Sequence, residues 1–233
     1  LSFNGGIVDQ DQNRTVSLTN NTSSPLSVAV GSTLSFSTLT WTSGASQAIL
    51  PASSRYPSLQ LLGNKTGENT TFVMGGNVSA NNISLYNVGG GTQSSLEQNG
   101  FKLDANNISL GLSTSAPTPG LLITSGGLLN TSGSIYFNNG DSVLDLMNST
   151  GTHIHGDFLY GGSTGTLRAS VSTITFDGSM YQRVNLSGMS VGSLYAENSS
   201  TTGVRYFGSF TAQQFNASSL NLVSQTIVTM DQG

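Results

Sequence analysis

The sequence predicts an all-β protein built for the most part as a parallel β-solenoid, a β-helix. Three observations carry that prediction. No stretch sustains an apolar stripe at i, i+3, i+4 and i+7, because Ser, Thr and 29 glycines interrupt every candidate helix. Short alternating runs, such as Val16-Ser17-Leu18, Leu26-Ser27-Val28 and Ile174-Thr175-Phe176, read as half-buried strands between Gly/Asn/Ser turns. The third observation is an octad: Val78-Ser79-Ala80-Asn81-Asn82-Ile83-Ser84-Leu85 matches Leu103-Asp104-Ala105-Asn106-Asn107-Ile108-Ser109-Leu110 position by position.

Taken in chain order, residues 1–50 form an N-terminal β segment without the octad frame, with a cleanly alternating run from Leu34 to Trp41. Phe3, Ile7, Val8, Val16 and Leu18 carry enough apolar surface to need burial. This segment either caps the solenoid or crosses to a neighbouring subunit as a donor strand. Pro51 and Pro57, around Ser53-Ser54, mark residues 51–69 as a linker. Residues 70–233 form the solenoid. There the first apolar residue after a polar corner recurs at Ile83, Ile108, Ile135, Ile154, Ile174, Leu194 and Leu220, in steps of roughly 19 to 27 residues, the size of one coil. A third octad, residues 215–222, keeps the frame, and residues 129–137 and 189–195 are looser copies. Ala suits an inward position beside a tight corner, and the Asn pair suits the corner itself, where side chains can bond from coil to coil. The alternative that this spacing leaves open is an antiparallel β-sandwich with a donated strand.

Composition bears on location. Thirteen asparagines stand in the frame Asn-x-Ser/Thr without proline: Asn13, Asn20, Asn21, Asn64, Asn69, Asn77, Asn82, Asn107, Asn130, Asn148, Asn185, Asn198 and Asn216. With Ser and Thr at roughly a quarter of the residues, chance predicts about six. The excess points to N-glycosylation and an extracellular or cell-surface location. Sequons outside the octads, such as Asn13, Asn64, Asn69, Asn148 and Asn198, carry the cleaner signal, since a coil corner selects Asn for its backbone alone. Only 8% of residues are charged and the net charge is −4. That excludes a nucleic-acid-binding stripe. It also leaves little colloidal repulsion, so glycans or permanent subunit contacts must keep the surface from random association. There is no cysteine, which excludes disulfides and thiolate chemistry. No run of about 18 apolar residues exists to span a membrane. The start at Leu1-Ser2-Phe3 fits a mature chain whose signal peptide has been removed.

The segment Leu128-Leu129-Asn130-Thr131-Ser132-Gly133-Ser134-Ile135 resembles the Asn/Ser/Gly-rich β-helical regions of bacterial surface adhesins. In sequon density and lack of charge the whole chain is also similar to glycosylated extracellular filament or surface-layer subunits of the archaeal type. The second resemblance implies assembly by donation of a terminal β-strand, here residues 3–18.

Residues that could carry chemistry are few. His153-Ile154-His155-Gly156-Asp157 is the one cluster of metal-ligand types, and strand alternation would put both imidazoles and the carboxylate on one face. The His-x-His is similar to the first cupin motif, but the glutamate that should follow is missing. No metal site is therefore assigned, with His153, His155 and Asp157 as the candidates should one exist. Asp141 and Asp145 with Asn138 and Asn139 have oxygen ligands for calcium but no EF-hand spacing. Gly75-Gly76 and Gly89-Gly90-Gly91 are turns, not phosphate loops. The tyrosines Tyr56, Tyr86, Tyr136, Tyr160, Tyr181, Tyr195 and Tyr206, about one per strand, read as sheet-surface or interface residues. The carboxylates are sparse and scattered along the sequence, so paired acid catalysis would need two of them to converge from successive coils.

The expected function is that of a non-enzymatic structural subunit, polymerising with identical copies into an extracellular filament or surface layer. No cofactor is expected apart from covalent N-glycans. Glycans or a cell surface are a further contact. The alternative is an adhesin or receptor-binding fibre domain, and ranked below it a β-helix carbohydrate-active enzyme.

Overall fold

The computed structural model describes residues 2–3, 7–9, 15–24, 26–28, 33–88, 92–112, 119–159, 163, 165–217, 220–222 and 228–230. Among them no helix forms, and none is therefore long and apolar enough to cross a membrane. Every strand pairing is parallel, and the chain is a β-solenoid; the antiparallel sandwich is ruled out.

The pairings sort into three ladders, one per face. On the first, Gln47–Leu50, Asn69–Met74, Gln93–Glu97, Gly120–Ile123, Val143–Asp145 and the start of Thr166–Phe176 stack in turn. The second runs from Val78–Asn87 through Leu103–Leu110, Leu128–Thr131, Gly151–Ile154, the end of Thr166–Phe176, Ser190–Ala196 and Phe210–Ala217. The third begins at Thr15–Asn20 and climbs through Thr38–Ser43, Ser58–Gly63, the later halves of Val78–Asn87 and Leu103–Leu110, and Ile135–Phe137. It continues through single bridges at Phe158 to Gln182–Asn185, Val204–Phe207 and Leu220–Leu222. The ladders thus pass through residues expected to be a separate segment and a linker: Ser53–Tyr56 is a rung beneath the start of Val78–Asn87 on the second face, and Ser58–Gly63 is a rung of the third.

In-register stacking turns the octads into columns. Val78 to Leu85 pairs with Leu103 to Leu110 residue for residue. Phe72, Leu96, Leu122, Leu144 and Leu167 form one inward column, and Leu18, Trp41, Leu61, Leu85, Leu110 and Phe137 another. Nearly all are fully buried, and each such leucine contributes about 1.5–3 kcal/mol through burial. Ala80 and Ala105 are 6% and 5% exposed beside the corner, where a larger side chain would meet the turn. At that corner Asn82 Nδ2 donates to Ser58 Oγ at 3.1 Å and Asn107 Nδ2 to Asn82 Oδ1 at 3.0 Å. Asn107 Oδ1 accepts from the Ser134 amide at 2.8 Å, and Ser134 Oγ from the Asp157 amide at 3.0 Å. Corner side chains thus bond coil to coil.

Two expectations change. The series Ile83, Ile108, Ile135 is a true column on the third face, but Ile154, Ile174 and Leu194 lie on the second, and Ile154 pairs with Phe176 rather than Ile174. All three faces alternate apolar and polar residues alike, so a single spacing cannot tell them apart. Tyr56 and Tyr206 are not surface residues. Both are fully buried, Tyr56 with its hydroxyl donating to Pro51 O at 3.0 Å and Tyr206 stacked among Phe176, Phe210 and Phe215.

Burial pushes both phenols well above their ordinary value. Because the folded-state value is raised, the stabilisation is complete below the unfolded tyrosine pKa of about 10 and is lost as pH rises above it. The denaturant midpoint should therefore fall steeply between about pH 10 and 12. Tyr56→Phe should flatten part of that decline, measured by urea titration at successive pH values.

Candidate functional site

The five residues expected to form an inter-subunit strand lie in the first coil of their own chain. Phe3 belongs to Ser2–Phe3, which pairs with Ser27–Val28; Ile7 and Val8 belong to Ile7–Asp9, which pairs with Thr33–Ser35. Val16 and Leu18 belong to Thr15–Asn20 on Thr38–Ser43. The side chains of Phe3, Ile7 and Val8 lie outside the described part. Val16 and Leu18 pack against the core but stay half-buried, since among the described residues nothing stacks on the other side of their strand.

The polarity of that edge follows from one hydrogen bond. The Asn20 carbonyl accepts from the Gly44 amide at 2.9 Å, so Asn20 faces the next coil. In a parallel ladder the N–H and C=O of one residue point to the same side and alternate residues point to opposite sides. Leu18 and Val16 therefore face inward along the ladder with Asn20. Thr15, Ser17 and Thr19 direct their backbone groups to the outer edge, and their side chains are exposed. At the far end Leu220–Leu222 and Val228–Met230 each have one described ladder partner, Val204–Phe207 and Phe210–Ala217.

The sequons divide by burial. Asn21, Asn64, Asn69, Asn77, Asn148 and Asn216 are exposed. Asn20, Asn82, Asn107, Asn130 and Asn185 are half-buried, and among these the amide groups of Asn82, Asn107 and Asn130 are donated to Ser58, Asn82 and Asp104. Asn198 is 5% exposed, and its amide donates at 2.6 Å both to Met180 O and to Gln182 Oε1. Gln182 in turn ties down Ile154 O and Gly156 O, each at 2.8 Å. In this fold the Asn198 amide is a structural clamp with no room for a sugar. Asn13 lies outside the described residues, as do Tyr160 and Gly89-Gly90-Gly91.

The histidines come together with a different carboxylate from the one expected. The Gly151–Ile154 strand ends before His155, so alternation no longer holds. Asp157 turns to Arg183, accepting from its Nε at 2.9 Å and its backbone amide at 2.8 Å. Asp177 from the next coil takes its place, 2.8 Å from His153 Nδ1 and 3.5 Å from His155 Nε2. His155 Nδ1 lies 2.7 Å from Thr131 O; a carbonyl only accepts, so this nitrogen carries the proton. Among the described residues no three His, Cys, Asp or Glu side chains are gathered to hold a metal ion. Asp145 is engaged by the Met147 amide and Arg168, and the Asp141 amide by Asn139 Oδ1. Hydrogen bonding from Lys65 lowers the Glu68 carboxyl below its usual range. Among the described residues, Glu68, Asp104, Asp145, Asp157 and Asp177 are each met by a Lys, Arg or His rather than by another acid. Sequence could not reveal the Asp177 and Arg183 pairings, because they join different coils.

Comparison with protein-family models, curated proteins and solved structures finds no match to this chain.

Proposed function

We propose that this chain is the structural subunit of a secreted, N-glycosylated extracellular filament or cell-surface layer, assembled by β-strand complementation between coil ends. The observation that carries the reading is the outer edge of the first coil: Ser17 and Thr19 present backbone donors and acceptors beside the half-buried Val16 and Leu18. An end-on copy would continue the parallel ladder and cover that apolar surface. Such a contact is heterologous, one end of a subunit meeting the other end of the next, and without closure it generates a filament. Among the described residues nothing covers this edge, and an uncovered edge is otherwise a liability that proteins cover or blunt. The charge-poor exterior supports the same reading, since exposed sequons on the coil corners would supply the solvation that charge does not.

The test is negative-stain microscopy of native material with intact mass and glycopeptide mapping. Expected are long filaments, a mass above the 24.1 kDa of the polypeptide, glycans at exposed sequons such as Asn64, Asn148 and Asn216, and none at Asn198. Monomers at the polypeptide mass would overturn the proposal. A glycan on Asn198 would instead overturn its role as a clamp.

A further inference from the structure

Beyond assembly, we propose that the corner between the second and third faces is a binding groove for a neutral, extended, β-linked oligosaccharide. Two adjoining hollows, of about 490 and 470 Å³, share Ser132 and His155 and so form one trough that follows the solenoid axis from Arg55 to Tyr181. Two glycines, Gly133 and Gly156, line its second hollow. A Cβ on Gly156 would stand 2.4 Å from the Gly133 carbonyl carbon, and one on Gly133 would stand 2.3 Å from Asn107 Oδ1. Only glycine fits there, because the stacked coils approach too closely for a side chain.

The walls specify the ligand. Asn81, Asn106 and Ser132 stand one per coil along the trough, separated by the roughly 4.8 Å that divides stacked strands. That interval is close to the advance of one sugar in an extended chain. Asn81 Oδ1 accepts from Arg55 at 3.4 Å and Asn106 Oδ1 from Ser132 Oγ at 3.2 Å; a planar amide has two donor hydrogens and a second acceptor lone pair besides, which match the adjacent hydroxyls of a pyranose. Charges of both signs lie along the trough: Lys102 lies 3.0 Å from Asp104, Arg183 is bonded to Asp157, and Arg55 donates to Asn81 Oδ1 at 3.4 Å. No single-sign field results, which favours a neutral ligand over a uronate or sulfated one. At one end Met180 and Tyr181 are 76% and 37% exposed, two of the four large hydrophobics so exposed among the described residues. A tyrosine ring beside polar walls gives a stacking surface for the apolar face of a sugar.

The experiment uses the intact chain, titrated separately with cellohexaose, chitohexaose, glucose and hexagalacturonate, following the imidazole signals of His155 by NMR and affinity by calorimetry. Expected is saturable binding of at least one neutral hexaose, with His155 shifted. Glucose and hexagalacturonate should bind at least tenfold more weakly. Tyr181→Ala and Asn106→Ala, both exposed positions, should each weaken hexaose binding at least fivefold with the melting temperature unchanged. The proposal is overturned if neither neutral hexaose binds at millimolar concentration, if hexagalacturonate binds more tightly, or if both variants bind as the parent does. Binding is read on single subunits, so its failure leaves the filament reading standing, and the reverse also holds.

Discussion

Replacing Ser17 and Thr19 together by proline is expected to leave the monomer folded and to stop filament growth. Both residues point their backbone groups away from Thr38–Ser43, as the Asn20 carbonyl bonded to Gly44 requires. Proline removes a donor, and it is tolerated on an edge strand when the lost N–H faces outward. Its fixed φ and the extended preference it imposes on the preceding residue both suit a strand. Inside the monomer the double variant loses no described ladder bond, so its melting temperature should stay within about 3 °C of the parent, equivalent to roughly 1 kcal/mol. At the docking edge it loses two donors to the next subunit and adds two rings that clash with an approaching strand. Sedimentation velocity should show monomer where the parent polymerises. The contrasting variant is Leu18→Pro, whose N–H faces the second coil: it should destabilise the monomer, by about 3 kcal/mol if the loss matches that in a helix interior. Filaments of normal length from Ser17→Pro/Thr19→Pro would remove the first-coil edge from the assembly mechanism. This pair of variants is a sharper test than deleting residues 1–18, because deletion would expose the next coil, itself a parallel edge.

The solenoid was legible because its rungs repeat. Residues 78–85 and 103–110 sit one coil apart in perfect register, and the same side chains recur for the same reasons: inward aliphatics at the ends of the octad, a small alanine by the corner, asparagines bonded along it. Four things were not legible. The assignment of Ile154 and Ile174 to a face depends on where corners fall, and corner length varies from coil to coil. The partners of Asp157 and His153 come from strands more than 20 residues away, a distance at which sequence carries no pairing signal without a repeat. The sequon at Asn198 reads like any other as a triplet. It is distinguished only by Gln182, which the fold brings under it. The groove had no signature at all, since glycines at 133 and 156 look like ordinary turn residues until the coils are stacked.

Trp41→Ala should cost about 3–5 kcal/mol, the usual loss for deleting a buried aromatic, and the loss should stay local. Trp41 is fully buried, meets Phe72 edge-on at 5.2 Å, and donates its indole N–H to Asn20 Oδ1 at 2.8 Å. It is thus held between the first coil and the next one up. A solenoid is bound mainly by nearest-neighbour contacts, so damage to one coil need not spread. Amide exchange should show protection lost over residues 15–63 and retained over residues 135–196, where Phe137 and Phe176 lie several coils away from the deleted ring. Trp41→Phe keeps a ring against Phe72 and should lose about half as much, the remainder reflecting volume and the indole bond. On the proposal that the first coil carries the docking edge, Trp41→Ala should also abolish polymerisation although most of the solenoid stays folded. A uniform loss of protection along the chain would mean that the coils fold as one cooperative block, and the loss of assembly could then no longer be assigned to the first coil alone.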